Sequence, residues 1–323
     1  KQLDDGLYFI EYIGDYDFDA FLAQGGNKTN EEMADFLTES LSKGKWNGSK
    51  NQDEKSTVKI TTPNFGCSSI VAKNQNGQTI CGRNYDWKDC SVMIIHTKPN
   101  NGYESISTCC LEFLGYERNW VPTYKFPNDM MALATIYVPL DGMNEKGLCM
   151  AGLNFPGNAD YKPFCPGKDN VTPFELIPWL LGQCASVAEA RPMLEQLCIT
   201  PEAFSPELPP APLHWLLADK AESLTIEAME GRLQVWENPV GLLTNAPPFD
   251  DQLRRLADHM HLTPMPPHNL LAEGIDLRPY TLGMGAMGLP GDLSSQSRFV
   301  RAAFTKMNSV SGDLETESVG QFF

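Results

Sequence analysis

Long hydrophobic runs are missing from this sequence: no stretch approaches the ~20 consecutive apolar residues that a membrane-spanning helix needs. The first residues, KQLDDGLYFIEYIGDYDF, also lack the basic-then-apolar layout of a secretion signal. The chain starts at Lys1 rather than Met, which leaves room for an export signal or lipid anchor removed upstream, so the compartment stays open. Basic clusters are absent as well. With 25 Lys and Arg against 41 Asp and Glu, the net charge is -16, and nothing here can track a phosphate backbone by displacing counterions, so nucleic acid is not an expected partner. Small anions are not excluded, because one or two arginines make a pocket locally positive. Cys-x-x-Cys pairs are lacking too. Nine cysteines at irregular spacing argue against a disulfide framework and predict mostly small, buried apolar side chains. The close pair His259 and His261 has no cysteine nearby, so no metal site or cofactor is expected.

What is present suits a large core, with 42% apolar and 10% aromatic residues. Leu7–Ile13 reads as a strand, and Thr29–Ser42 as a helix with a capping box at Thr29 and Glu32. Gly44–Ser56 is polar and rich in turn formers, a natural linker, and Val58–Thr61 begins a β-rich region after it. Ser68–Lys73 and Thr79–Asn84 form a hairpin around Asn76-Gly77, whose residues supply the positive φ angles of a tight turn. Strands are predicted at Ala132–Val138 and Leu148–Asn154, around a turn at Asp141–Gly147. Helices follow at Pro173–Cys184 and Val187–Leu197, then a proline-rich loop at Ser205–Pro212. Leu213–Asp219, Leu224–Ala228, Gln234–Trp236 and Gly241–Thr244 make a strand series, and Phe249–His259 and Ser297–Lys306 read as helices. Asp141-Gly142 and Gly291-Asp292 read as turns.

Five blocks together resemble one family. NFGCSSIVAKNQNGQTICGRNYDW (64–87), DGMNEKGLCMAGLNFPGN (141–158), LHWLLAD (213–219), GLLTNAPPFDDQL (241–253) and GLPGDLSSQSRFVRAAF (288–304) stand in the order of the choloylglycine hydrolase family. That family includes bile salt hydrolases and penicillin V acylases. The resemblance implies an α+β fold, an N-terminal-nucleophile αββα sandwich of two stacked antiparallel sheets between helical layers. It implies Cys67 as nucleophile, Arg83 and Asp86 as an Arg–Asp pair, Asn154 and Asn245 as the catalytic asparagines, and Arg298 as a further active-site arginine. The division is then an upstream segment 1–66 and a hydrolase domain 67–323, with the family's final strands expected to be missing after Phe323. A segment ahead of the cysteine is similar to the layout of acid ceramidase and N-acylethanolamine acid amidase, which implies self-cleavage and retention of segment 1–66 on the core.

The chemistry needs such residues. A cysteine at a chain start carries thiol and α-amine together, and an amine of pKa ~7.7 is a usable base near neutrality, whereas a lysine at ~10.4 is not. An internal Cys67 must first be freed from Gly66, by thiol attack on the Gly66 carbonyl and hydrolysis of the ester. Gly66 lacks a Cβ and so permits close approach. Arg83 is placed to stabilise a thiolate, Asp86 to orient the ammonium, and Asn154 (through its backbone) and Asn245 (through its amide) to donate to an oxyanion. Taken singly, these residues read as a buried thiol, a surface ion pair, turn formers and a solvated helix arginine. Their joint occurrence favours the site.

The expected reaction is hydrolysis of a linear amide joining an acyl group to a small amine: a fatty N-acyl amide, towards which the upstream segment tilts the reading, or a conjugated bile salt, with penicillin V as the alternative. The expected partner is a small-molecule amide with an apolar acyl group, received among residues such as Trp87, Met143 and Phe155. A homo-oligomer is compatible with the sequence. Two other classes remain, a papain-like thiol hydrolase using His96 or His214, and an uncleaved, non-catalytic binding module.

Overall fold

Alternation of period two sets the layers. In the strand Cys149–Asn154, Cys149, Ala151 and Leu153 share one apolar cluster while Met150 enters another; in Leu213–Ala218, Leu216 and Ala218 go with the first and Trp215 and Leu217 with the second. Every residue of both strands is buried, so each needs a layer on both sides. The computed structural model describes residues 1–17, 20, 35–36, 39–40, 66–86, 90–114, 116, 120–123, 130–202 and 210–322. Trp87, the linker Gly44–Ser56 and the strand Val58–Thr61 lie outside the described residues, as do most of the helix Thr29–Ser42 and of the proline-rich loop Ser205–Pro212.

The strands are β1 (Gln2–Asp4), β2 (Leu7–Ile13), β3 (Gly66–Lys73), β4 (Thr79–Asp86), β5 (Val92–Lys98), β6 (Ser105–Cys110), β7 (Asp141–Asn144) and β8 (Cys149–Asn154). They continue with β9 (Asp169–Val171), β10 (Leu197–Ile199), β11 (Leu213–Ala218), β12 (Ser223–Met229), β13 (Arg232–Glu237) and β14 (Leu242–Leu243). The helices are α1 (Met130–Leu133), α2 (Leu176–Gln183), α3 (Val187–Gln196), α4 (Phe249–Leu256), α5 (Ser295–Asn308) and α6 (Glu315–Phe322). A nine-stranded sheet runs β1-β2-β5-β6-β7-β8-β11-β12-β13, and a small sheet runs β14-β3-β4. Trp179 and Leu180 of α2 and Leu194 of α3 pack on Met150, Trp215 and Leu217 of the large sheet. On its other face, Ala151, Leu153 and Leu216 meet Cys67 and Val71 of β3, with Phe249 of α4 and Phe299 of α5 closing the cluster. The order of layers is helix, sheet, sheet, helix, the α+β sandwich expected.

Several elements differ from expectation. Ala132–Val138 is not a strand: α1 runs into a 3-10 turn at Ala134–Tyr137, with the Thr135 hydroxyl bonded to the Ala132 carbonyl at 2.6 Å. A short apolar run buried all round has no period to tell helix from strand. Asp141-Gly142 belongs to β7, where a Cβ on Gly142 would stand 2.9 Å from Ser107 and 3.0 Å from the Ile106 carbonyl, so glycine here serves sheet contact rather than turning. At the hairpin only Gly77 has positive φ, because the turn is closed from Asn74 by the Gly77 amide at 3.0 Å within a longer loop. One pairing within the large sheet is parallel, β2 with β5 from Leu7 beside Val92 to Ile13 beside Lys98. The long chain between them permits this, and it sets the upstream strand into the large sheet.

Two disulfides also overturn the expectation of free thiols: Cys81–Cys149 ties β4 to β8 across the sheets, and Cys90–Cys110 ties the approach to β5 with the end of β6. Separations of 68 and 20 residues carry no sequence signal, since tertiary approach alone pairs them. Among the described residues no helix is long and apolar enough to cross a membrane.

Candidate active site

The β3–β4 register places Gly66 opposite Asp86, Cys67 opposite Tyr85 and Ser69 opposite Arg83. Pleating then turns Cys67, Arg83 and Tyr85 towards the large sheet, and Ser68 and Asp86 towards α5. Arg83 and Asp86, expected as a pair, therefore stand on opposite faces with different partners. Arg83 meets Asp141 at 3.4 Å, and Asp86 meets Arg298 at 3.6 Å. An odd spacing along a strand cannot bring two side chains to one face.

On the sulfur side, the Arg83 Nη2 lies 3.5 Å from Cys67 Sγ, and Nη1 donates to the Leu140 carbonyl. The guanidinium rests 3.9 Å from the centre of the Tyr85 ring, which adds a cation–π attraction. Tyr85 donates to Asp141 Oδ2 at 3.0 Å and Thr108 to Oδ1 at 2.7 Å. Burial disfavours the Arg83 charge, but Tyr85, Cys67 and Asp141 outweigh it and hold the group protonated more firmly than an ordinary arginine. Burial also pushes the Tyr85 phenol well above its usual range, so it remains a donor. Asp141, which the sequence reading leaves as a turn residue, is thus the charge that seats Arg83.

On the main-chain side, the Cys67 amide donates to Asn245 Oδ1 at 2.8 Å. Arg298 donates to the Cys67 carbonyl at 2.6 Å, to Ser68 Oγ at 2.7 Å and to Asn245 Oδ1 at 2.7 Å. Burial lowers the pKa of Arg298, against the pull of Asp86 and Cys67. A Cβ on Gly66 would stand 2.4 Å from Asp86 Oδ2, so the carboxylate occupies space that only glycine leaves open. Asn245 is held on every side: its amide nitrogen donates to the Asn154 carbonyl at 2.8 Å, its backbone N–H to Ser295 at 2.8 Å, and its carbonyl accepts from the buried Gln252. All six expected residues, Cys67, Arg83, Asp86, Asn154, Asn245 and Arg298, thus belong to one connected network. Asn154 contributes its carbonyl to the asparagine contact.

The two rival histidines lie elsewhere. His96 bonds Glu11 at 3.0 Å and Glu104 at 2.6 Å. His214 is fully buried, bonded to Glu227 at 2.9 Å and to the Thr244 carbonyl at 2.8 Å, and stacked on Phe155 with ring centres 4.2 Å apart. Both nitrogens of each ring have partners other than Cys67. Phe155 is therefore core, while Met143 lines a cleft of about 700 Å³ between the sheets, bounded by Arg83, Tyr85, Asp141 and the Cys81–Cys149 bridge. Among the described residues the one cluster with metal-ligand spacing is Cys90, Cys110 and Glu112, whose two sulfurs are already bonded to each other.

A sequence model of the linear amide C-N hydrolases, choloylglycine hydrolase family, matches residues 67–323. A bile salt hydrolase/transferase from Lactiplantibacillus plantarum is 56% identical over 183 residues, a stretch spanning 57% of this chain and 56% of that protein, little more than half its length. A bile salt hydrolase/transferase from Clostridium perfringens is 34% identical over 263 residues, covering 80% of this chain and 77% of the relative. Among solved structures, a variant of the conjugated bile acid hydrolase from Clostridium perfringens superposes with a TM-score of 0.62 at 25% identity, covering 79% and 78% of the two chains. Penicillin V acylase from Agrobacterium tumefaciens, at 20% identity and a TM-score of 0.54 over 79% and 69%, shares the fold. The chain belongs to the linear amide C-N hydrolases of the choloylglycine hydrolase family.

Proposed function

We propose that this chain hydrolyses the amide bond of conjugated bile salts and related N-acyl amides, using Cys67 after the Gly66–Cys67 bond has opened. One observation carries the reading. The sulfur of Cys67 faces Arg83 while its backbone nitrogen is gripped by Asn245 next to Asp86, so the two atoms that a cysteine nucleophile with its own amine would use are held apart by separate sets of residues. The relatives named as bile salt hydrolase/transferases favour bile salts over penicillins as the substrate class.

In the unbroken chain Cys67 is fully buried. Its thiol attacks the Gly66 carbonyl carbon, the amide nitrogen leaves as the protonated α-amine, and water hydrolyses the thioester to a Gly66 carboxylate and a free thiol. The new amine inherits Asn245 Oδ1 as acceptor and Asp86 as counter-charge. In turnover its neutral form takes the thiol proton, Arg83 stabilises the sulfur's charge, and the thiolate attacks the substrate carbonyl. The oxyanion is met by an N–H of the Asn245 amide, which has two such bonds to give. The amine then protonates the leaving nitrogen, and water releases the acid. Arg298 positions Asn245 and the Cys67 carbonyl rather than touching substrate. The upstream segment stays in place after scission, because β2 is paired along its whole length with β5 and Tyr8 and Tyr16 are buried in the core.

The full chain should yield, on N-terminal sequencing, a fragment beginning Cys-Ser-Ser-Ile that co-purifies with its upstream partner, and should release glycine from glycocholate. An unbroken mass with no release would favour the uncleaved binding module. Scission without turnover of glycocholate, with turnover of an N-acyl ethanolamide instead, would keep the mechanism and replace the substrate class.

A further inference from the structure

Behind α3, on the far side of the large sheet from Cys67, two further thiols meet. Cys165 Sγ and Cys198 Sγ are 2.7 Å apart, about 0.7 Å longer than the ~2.05 Å of a disulfide and too close for two sulfurs that merely touch. The meeting is built by the backbone. β9 and β10 pair in parallel with Cys198 beside Asn170, and the fully buried Asn170 cradles residue 165 by accepting from its N–H at 2.7 Å and donating to its carbonyl at 2.9 Å. One asparagine thus sets the loop's cysteine over the strand's.

We propose that Cys165 and Cys198 are a dithiol that closes to a third disulfide of this protein by exchange with a small anionic disulfide such as glutathione disulfide. Both sulfurs line an open cavity of about 480 Å³, so a reagent reaches them. Lys162, Lys168, Arg191 and Arg232 stand around that cavity with Asp160 and Glu195, and with Glu222 and Glu237 neutralising Arg191 the lining keeps a small positive excess in a chain of net charge -16. Cys165 is half-buried and Cys198 buried, and burial pushes the Cys198 thiol up to about 12 while the two lysines oppose the shift. Cys165 therefore attacks first. Its thiolate displaces one glutathione thiolate and forms a mixed disulfide; Cys198, losing its proton to solvent, then attacks Cys165 Sγ and displaces the second. Two protein thiols and one glutathione disulfide become one protein disulfide and two glutathione thiols, with electrons and protons balanced. Four of the nine cysteines are already bonded, so this bridge would leave Cys67, Cys109 and Cys184 as the free thiols.

The test uses the full chain, independently of any hydrolytic activity. After equilibration with excess glutathione disulfide at pH 8, free thiols are alkylated under denaturing conditions and the protein is mapped by mass spectrometry without reduction. The expected result is a peptide pair joining Cys165 to Cys198, two hydrogens lighter than the separate peptides. Cys165→Ser should abolish that pair and lower Tm under the same conditions by about 5 °C, as loss of a bridge closing 33 residues implies. Alkylation of both residues after that exposure, or each carrying its own glutathione, would overturn the proposal.

Discussion

The two faces of the β3–β4 hairpin hold the same residue in opposite ways. Facing the large sheet, Arg83 is seated by Asp141, Tyr85 and the Leu140 carbonyl, contacts that do not involve the Gly66–Cys67 peptide bond. Facing α5, Asn245 accepts from the nitrogen of that bond and Asp86 fills the space beside Gly66, contacts that change character once the amide becomes an amine, while Arg298 holds the Cys67 carbonyl. Under the proposed mechanism, the difference assigns activating the sulfur and opening the chain to different residues, so that substitution should separate them even though one cysteine performs both.

The largest expected effect abolishes both tasks together. Cys67→Ala should leave a chain of unbroken mass with glycocholate turnover down by at least about 1000-fold, since among the described residues the other free thiols, Cys109, Cys165, Cys184 and Cys198, lie outside the cluster around Cys67. Appreciable turnover in that variant would end the comparison altogether. Next, Asn245→Ala removes the residue that bridges the amide nitrogen, Arg298 and Asn154, and turnover should fall by about 100- to 1000-fold. Steady-state kinetics on material already processed separates a lost oxyanion donor from a lost cleavage.

The comparison is sharpened by a pair of variants. Arg83→Gln should lower kcat of processed enzyme by about 10- to 100-fold while the chain still opens, and Arg298→Gln should slow the appearance of the Cys-Ser-Ser-Ile terminus more than it lowers kcat. Equal losses in both measurements for both variants would show the faces acting as one unit. The smallest effect provides a control for pH profiles. Burial pushes Glu175, fully enclosed at the start of α2, up to about 7 from its ordinary 4.5. Between those values the unfolded chain releases this proton while the folded chain keeps it. Stability is thus fully present below pH 4.5 and falls as pH rises towards 7, by on the order of 3 kcal/mol. Thermal melts of Glu175→Gln should show a flatter decline over that window, and any bell in the activity profile that survives the substitution belongs to the site.

Much of the hairpin was legible because its signals are local: two β-rich runs, an Asn-Gly turn between them and a glycine before the cysteine. The helix carrying Arg298 was legible too, since Ser294 caps it and Phe299, Val300 and Ala303 recur on one buried face. Asp141 was not. An Asp-Gly pair reads as a turn, and only the close approach of β6 shows why glycine stands there and frees the aspartate for Arg83. His214 gave no signal of its role either, because a buried imidazole stacked on Phe155 and bonded to Thr244 supports both asparagine-bearing segments without any local motif.

By itself the sequence determined the order of most elements and the family, because periodicity, turn chemistry and the five blocks are properties of neighbouring residues. Tertiary structure alone decided which cysteines bond, which carboxylate serves which arginine, and that the upstream strand lies parallel in the large sheet. Those outcomes depend on which faces of distant strands meet, and a strand's pleat sends adjacent side chains to different neighbours that no spacing along the chain records.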